Sequence, residues 1–424
     1  MMKKICLILV TATILIGGCS GKSSKLDVPP ASDGLAVPED LAWWSRAAID
    51  AYMRFSAWSG SHSGSIAMFA RDGVVVYSNA AGWKDIASGQ AMTVDTPMRI
   101  ASMTKPITAV AAMILVQEGK LGLDDPVADY LPEFAALRVA TSESPNADGS
   151  FPSESASTVL TVRHLLTFSS GIGPGRDKDS ALVAYWDQKG IYDQPAGELS
   201  DRVAQLAQLP LLEEPGTRWR YGFSLDVLAR VIEVISGDSI SAFMQVRILQ
   251  PLGMKDTGYL PPPSERDVFA TVYTQDKDGD LINAPLPYDT SWTPGGGGMV
   301  STAADYMRFA LMLWNGGEYQ GVRILKEATV DNMRRLHIQD GVLAAEDIKG
   351  LGWGLGLAVV ADEDATIMPD RTGDFWWSGY YGTTFFISPE TGLVGVVMSQ
   401  NEPGEFSGLP VEIFIVQGMA FAGL

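Results

Sequence analysis

Cysteine is nearly missing from this sequence: 424 residues hold only Cys6 and Cys19, with none after position 19. That excludes a disulfide scaffold, a zinc–thiolate site and an iron–sulfur cluster. Histidine is almost as scarce. His62, His164 and His337 stand far apart and no H-E-x-x-H occurs, so neither a metal site nor a cofactor is expected. Positive charge is also short, with 31 Lys and Arg against 50 Asp and Glu and a net charge of −19. A phosphate-binding face needs clustered cations, so nucleic acid is not an expected partner. The same balance opposes docking on anionic lipid by charge. There is no G-x-S-x-G, which removes the nucleophile elbow of α/β hydrolases. What is present is a globular composition, 46% hydrophobic and 19% charged, long enough for two or three domains or one large one.

The first 18 residues combine Lys3 and Lys4, an apolar stretch from Ile5 to Ile16, and Gly17-Gly18 before Cys19. A basic start, a short apolar core and small residues at the end make a secretory signal. The run is too short to span a bilayer, which takes about 20 residues. Ile16-Gly17-Gly18-Cys19 resembles a bacterial lipobox. The resemblance implies cleavage before Cys19, lipid on its thiol, and anchoring in the cell envelope. Ser20 after the Cys favours the outer membrane, facing the periplasm, by analogy with Gram-negative lipoproteins. Residues 19–38 read as a flexible tether, and structure is expected from about Glu39.

Helical apolar spacing runs from Ala42 to Trp58. Ser65 to Phe69 and Val74 to Tyr77 read as strands around an Arg71-Asp72-Gly73 turn, with a third strand near Gly82-Trp83. Ser102 to Gly119 reads as a helix with Val110, Met113, Ile114 and Leu115 in the core. Pro106 requires that helix to begin close to Ser102, because proline fits only the first turn. Between 120 and about 285 the pattern is helices and loops: Val203 to Leu209, Leu225 to Ser236 and Ile240 to Ile248 are helical, and 141–158 is a polar loop. Asp276 to Asp280 reads as a turn, since it lacks the spacing of a calcium loop. A helix over 302–315 precedes strands at Leu355 to Val360, Thr384 to Ser388 and Leu393 to Ser399, then a closing helix from Leu409 to Ala422. Strands, then helices, then strands suggest one sheet assembled from both ends of the chain, with a helical insertion.

Ser102-Met103-Thr104-Lys105 is an S-x-x-K, but 34 Ser and 13 Lys supply about one such pair by chance. Its placement gives it meaning. Residues three apart share a helix face, and a Ser at a helix N-terminus meets free N–H groups and the positive end of the dipole. A lysine that accepts a proton must be neutral, which burial favours. His164 begins His164-Leu165-Leu166-Thr167, which reads as a packed helix start rather than a triad member.

Several motifs follow in order: Met98 to Lys105, Gly119 to Val127, His164 to Thr167, Pro215-Gly216-Thr217-Arg218-Trp219-Arg220-Tyr221, Pro251 to Met254, and Gly295 to Thr302. Together they resemble the serine β-lactamase and penicillin-binding protein superfamily on its class C side, and most of all family VIII carboxylesterases. The resemblance covers 39–424. It implies an α/β (α+β) fold of the beta-lactamase/transpeptidase kind: an antiparallel sheet flanked by helices, from about 39–119 and 286–424, plus an all-helical subdomain over about 120–285.

The family implies Ser102 as nucleophile, Lys105 as its partner and Tyr221 as the facing phenol. Tyr77-Ser78-Asn79 also fits a Y-x-N pattern, but it lies on a hairpin strand and is set aside. Tyr221-Gly222-Phe223 has Phe223 where β-lactamases carry Asn. No K-T-G exists; Trp377-Ser378-Gly379 takes its place, while Arg371-Thr372-Gly373 reads as a turn. By the family comparison the N–H groups of Ser102 and Tyr380 form the oxyanion hole, and Trp376, Trp377, Tyr380 and Tyr381 give the site an aromatic rim. Loss of the Lys and Asn disfavours β-lactams and D-Ala peptides and favours small or medium neutral esters. Three alternatives stand beside an esterase: a β-lactamase or D-amino-acid peptidase or amidase, an acyltransferase, and a non-catalytic envelope binding protein.

Overall fold

The structure, a computed structural model, describes residues 41–142, 144–173, 180–189, 191, 197–259, 267–284, 293–338, 349–366, 369–402 and 411–424. The expected signal sequence and tether, with Cys19, lie outside the described residues. Among those described, no helix is long and apolar enough to cross a membrane.

The central sheet contains β1 (Gly64–Arg71), β2 (Val74–Asp85), β3 (Gln90–Ala91), β4 (Leu351–Trp353), β5 (Ala358–Val360), β6 (Phe375–Gly379), β7 (Thr383–Ser388) and β8 (Leu393–Ser399). Their spatial order is β4-β5-β6-β7-β8-β1-β2-β3 and every neighbouring pair is antiparallel. The β1–β8 pairing, from Ser65↔Ser399 to Arg71↔Leu393, joins the two ends of the chain. The β1–β2 hairpin turns at Asp72-Gly73, where φ is 48° and 82°, the positive values that a two-residue turn matching strand twist demands.

Both faces of the sheet are covered, so strands such as β7 and β8 are buried along their whole length. Successive side chains point to opposite faces. Phe385 packs on Tyr306 of α4 (Ala303–Trp314) at 5.1 Å between ring centroids, while Phe386 packs on Phe421 of α5 (Val411–Ala422) at 5.5 Å. The α5 face also carries α1 (Trp43–Ser59), which sits against β1 and β2 and is tied to α5 by the Ser45 hydroxyl donating to the Met419 carbonyl at 2.6 Å. On the other side α2 (Thr104–Gln117) is buried on every face from Thr104 to Leu115, the four expected core residues included. It packs against α3 (Ser224–Ser236) of the helical part.

Four elements differ from the sequence reading. The strand expected at Gly82-Trp83 is the far end of β2, which runs unbroken to Asp85; the small residues from Ser78 to Gly82 hide the alternation that would reveal its continuity. Leu355 to Val360 is not one strand. Gly354 to Leu357 form the connection of a β4–β5 hairpin, and Leu351–Trp353 was not foreseen. The polar loop over 141–158 is closed at its base by a ribbon pairing Arg138–Ala140 with Ser153–Ser155. Helix Val203 to Leu209 is shifted to Leu199–Leu206.

Candidate active site

The segment leading to Ser102 is fixed from both sides. Val300 pairs with Arg99, and the Gln400 side chain accepts from the Arg99 N–H and donates to the Arg99 carbonyl, both at 3.0 Å. Ala101 then takes φ 43°, a value non-glycine residues rarely adopt. A turn of 3-10 helix over Ala101–Met103 carries Ser102 at the mouth of α2, and the Tyr306 hydroxyl holds the Met103 carbonyl at 2.8 Å.

Lys105 lies one turn along and is 5% exposed. Its Nζ donates to Ser102 Oγ at 3.2 Å and to the Gly296 carbonyl at 2.5 Å. From the helical part, the Tyr221 hydroxyl donates to the same Ser102 Oγ at 2.6 Å, and Lys105 Nζ stands 4.6 Å from the centre of the Tyr221 ring. Tyr221 is delivered by a strand-like crossing in which the Arg220 N–H donates to the Phe168 carbonyl and the Phe223 N–H to the Ile172 carbonyl. The serine and amine of the S-x-x-K spacing and the phenol that the resemblance implies are therefore one hydrogen-bonded cluster. Such an arrangement can remove a proton from the hydroxyl as it attacks a carbonyl carbon.

Strand β6 closes the other side. Gly379 lies so close to the Ile100 carbonyl that a Cβ there would come within 2.2 Å of the oxygen. This contact brings the end of β6, and the peptide of Tyr380 after it, against the segment that leads to Ser102. Trp377 is 8% exposed and packs edge-on to Trp353 at 4.7 Å and on Tyr221 at 5.5 Å. Phe168 stacks on Tyr221 at 5.3 Å and meets Trp353 edge-on at 5.2 Å. The result is a wall of Phe168, Trp219, Tyr221, Trp353 and Trp377. Ser378 is half-buried between Trp377 and Gly379, opposite Thr384 of β7.

The expected aromatic rim is corrected by burial. Trp376 is 2% exposed, packed edge-on to Phe414 and stacked on Trp377, each at 5.9 Å, and Tyr381 is buried; Tyr380 alone of the four is well exposed, at 56%. Phe223 is partly buried and packs over the buried guanidinium of Arg202 at 5.5 Å.

The other candidates fall elsewhere. His164 closes a capping box with Thr161 at the start of helix Val162–Leu166, and burial pushes its pKa down. The Tyr77 hydroxyl and the Asn79 amide both bind Asp50, away from Ser102, which accounts for the Y-x-N on the hairpin. Arg371 to Gly373 form a turn, with Gly373 at φ 90°.

Two further participants surround Lys105, one a motif to which the sequence assigned no role and one a residue it did not single out. The Gly295–Gly298 run wedges between α2 and α3: a Cβ on Gly296 would meet Asp226 Oδ2 at 2.9 Å and Lys105 Nζ at 3.2 Å. Asp226, 3% exposed, accepts from the Gly296 N–H at 3.4 Å. Burial pushes its carboxyl above the ordinary range, against the pull of the Lys105 charge. The glycine run was the available signal; the buried aspartate in the first turn of α3 had none.

A family profile described as "Beta-lactamase" matches residues 46–417. Esterase EstB of Burkholderia gladioli is 34% identical over 371 residues, covering 81% of this chain and 88% of the relative. Lovastatin esterase of Penicillium rubens is 30% identical over 355 residues, covering 76% and 85%. The solved structure of EstCE1, described as a hydrolase with promiscuous acyltransferase activity, superposes with a TM-score of 0.75 at 27% identity, covering 89% of this chain and 99% of that one.

Proposed function

The chain belongs to the beta-lactamase family, within which it is a serine hydrolase, and from this premise we propose that it is a carboxylesterase acting on small or medium neutral esters. The observation that carries the reading is the convergence of Tyr221 and Lys105 on Ser102 Oγ beside an aromatic wall. Ser102 Oγ attacks the ester carbonyl while its proton passes to the Tyr221–Lys105 pair. The oxyanion is held by the N–H groups of Ser102 and Tyr380. The carbon–oxygen bond breaks, the proton goes to the leaving alcohol, and the acyl group stays on Ser102. Water then attacks with the same pair as base and releases the acid. Trp377 stands where the family's usual lysine would meet a substrate carboxylate, and Phe223 where an Asn would meet an amide. A site without those partners does not reward a charged substrate for losing its water.

The deciding measurement is kcat/KM for an aryl acetate or butyrate against a chromogenic cephalosporin and a D-Ala-D-Ala peptide. The ester is expected to lead; a cephalosporin rate at or above it overturns the reading in favour of a β-lactamase. A fluorophosphonate should label the wild type and not Ser102→Ala. A second reading, transfer of the acyl group to an alcohol in place of water, is favoured by the likeness to EstCE1, and product analysis with added alcohol separates the two.

The proposal extends to location: a lipid on Cys19 holds the mature chain on the bacterial envelope, at the outer membrane facing the periplasm. Cys19→Ala should abolish acyl labelling and release or misprocess the protein.

A further inference from the structure

The outward face of α1 carries side chains that water does not favour. Trp44, Ala47, Ala51, Arg54 and Trp58 recur at three- and four-residue spacing and are all exposed, with Trp43 beside them. Trp43 is 75%, Trp44 46% and Trp58 40% exposed, and among the described residues the strongly exposed tryptophans all lie on this helix. A single exposed apolar side chain is ordinary; three indoles in one stripe mark a surface that is covered in use. From Trp44 to Trp58 the stripe is about 21 Å long. Its charge is equally unusual for a chain of net −19. Helix α1 holds Arg46 and Arg54 and one acid, Asp50, whose carboxylate is engaged by Tyr77 at 2.6 Å and Asn79 at 2.7 Å.

Two facts identify the occupant. The first is where the undescribed N-terminal chain ends. It stops at residue 40, just before α1, and between Cys19 and that helix there is at most about 75 Å of extended backbone. The second is orientation. Helix α5, with α1 tied to it, covers one face of the sheet through Phe421 on Phe386, whereas Ser102, Tyr221 and Trp377 lie on the face of Phe385 and α4. A flat surface against α1 therefore lies on the side of the sheet away from Ser102.

We infer that the outer face of α1 is a membrane-docking surface, lying along the headgroup layer of the bilayer to which the chain is anchored. Indoles favour that layer because it is apolar on one side and wet on the other. Arg54, exposed on the stripe, meets lipid phosphate and relieves locally the repulsion that the rest of this acidic chain would feel. Docking fixes the orientation that a tether alone leaves free. The inference rests on the anchoring part of the proposal above and is independent of the hydrolase reading.

The test uses the mature acylated protein in vesicles of phosphatidylethanolamine and phosphatidylglycerol carrying brominated acyl chains. Tryptophan emission should be quenched, and the quenching should be lost when Trp43→Ser, Trp44→Ser and Trp58→Ser are combined, with melting temperature and aryl-ester turnover unchanged. Arg54→Glu alone should weaken it. As a second readout on unmutated protein, amide exchange over 43–59 should slow on vesicles and not in their absence. No quenching in the wild type, or quenching indifferent to the three substitutions, overturns the inference. So does protection of α1 that grows with protein concentration without lipid, which assigns the face to a second copy. Intact mass at Cys19 reports the anchor separately. If no acyl group is found, vesicles added to the unacylated protein still read the docking surface by the same quenching.

Discussion

Lys105 Nζ donates a 2.5 Å hydrogen bond to the carbonyl of Gly296, 191 positions away, while holding Ser102 Oγ at 3.2 Å. The peptide of Gly296 also faces Asp226 through its N–H. One glycine thus separates a buried amine from a buried carboxylate and fixes where the amine points.

Gly296→Ala tests that role. The new Cβ would arrive 2.9 Å from Asp226 Oδ2 and 3.2 Å from Lys105 Nζ, so the carboxyl has to shift and the amine has to give by a few tenths of an ångström. A full ångström of misplacement costs about 10²-fold in rate. We expect kcat to fall by less than that, roughly several-fold, with KM for an aryl ester little changed. An unaltered kcat would detach Gly296 from the chemistry.

Tyr221→Phe removes the 2.6 Å partner of Ser102 and leaves the ring stack with Phe168 in place. Folding should be intact and kcat should drop by roughly 10²-fold or more, the scale of a lost general base. Lys105 and Tyr221 both contact Ser102 Oγ, so removing the phenol should change the shape of the pH–rate profile. A profile identical to the wild type would remove the phenol from the proton path.

Trp377→Lys restores the letter usual in the family but not its setting. The side chain is 8% exposed, between Trp353 and Tyr221. Losing a core aromatic costs about 3–5 kcal/mol, and an ammonium among rings adds a desolvation penalty. Urea unfolding should show a loss of about 3 kcal/mol or more, whereas Trp377→Phe should lose less. An unchanged midpoint for the Lys variant would mean that the wall is not packed as described.

Asp374 precedes β6 and is buried, its Oδ2 accepting from the Arg371 N–H at 2.8 Å. Burial raises its pKa to about 7, above the ordinary value of ~3.9. A raised folded pKa contributes stability that is fully present below the unfolded value and is lost as pH rises through the folded one. Between pH 5 and pH 8 that loss amounts to about 2 to 3 kcal/mol. Asp374→Asn should therefore gain on the wild type as pH rises over this window, as read by melting temperature at each pH. A constant difference would show that Asp374 does not titrate there.

The sequence reached much of this protein because its informative signals are local. The Asp72-Gly73 turn, the apolar body of α2, the Pro106 limit on where α2 begins and the Ser102–Lys105 spacing each follow from backbone geometry within a few residues. Alternation fails where residues are small or uniformly apolar. That is why the far end of β2 and the β4–β5 hairpin are not legible in the sequence.

What the sequence determined by itself was the ordered set of motifs, and with it the family, the fold and the three side chains to watch. It also put Trp377 and Phe223 where the resemblance expects Lys and Asn. Tertiary structure alone decided what surrounds Lys105: a carbonyl from Gly296, a carboxylate from Asp226, and a wall drawn from Phe168, Trp219 and Trp353. Those contacts join segments separated by up to about two hundred positions, and they exist because a helical layer closes over a sheet built from both chain ends. Side-chain spacing carries the period of a helix or a strand, but it does not encode which distant backbone oxygen a buried amine will find once water is excluded. The exposed tryptophans of α1 show the same division. Their helical spacing is plain in the sequence, and only the packing of α1 on the sheet decides that they face outward.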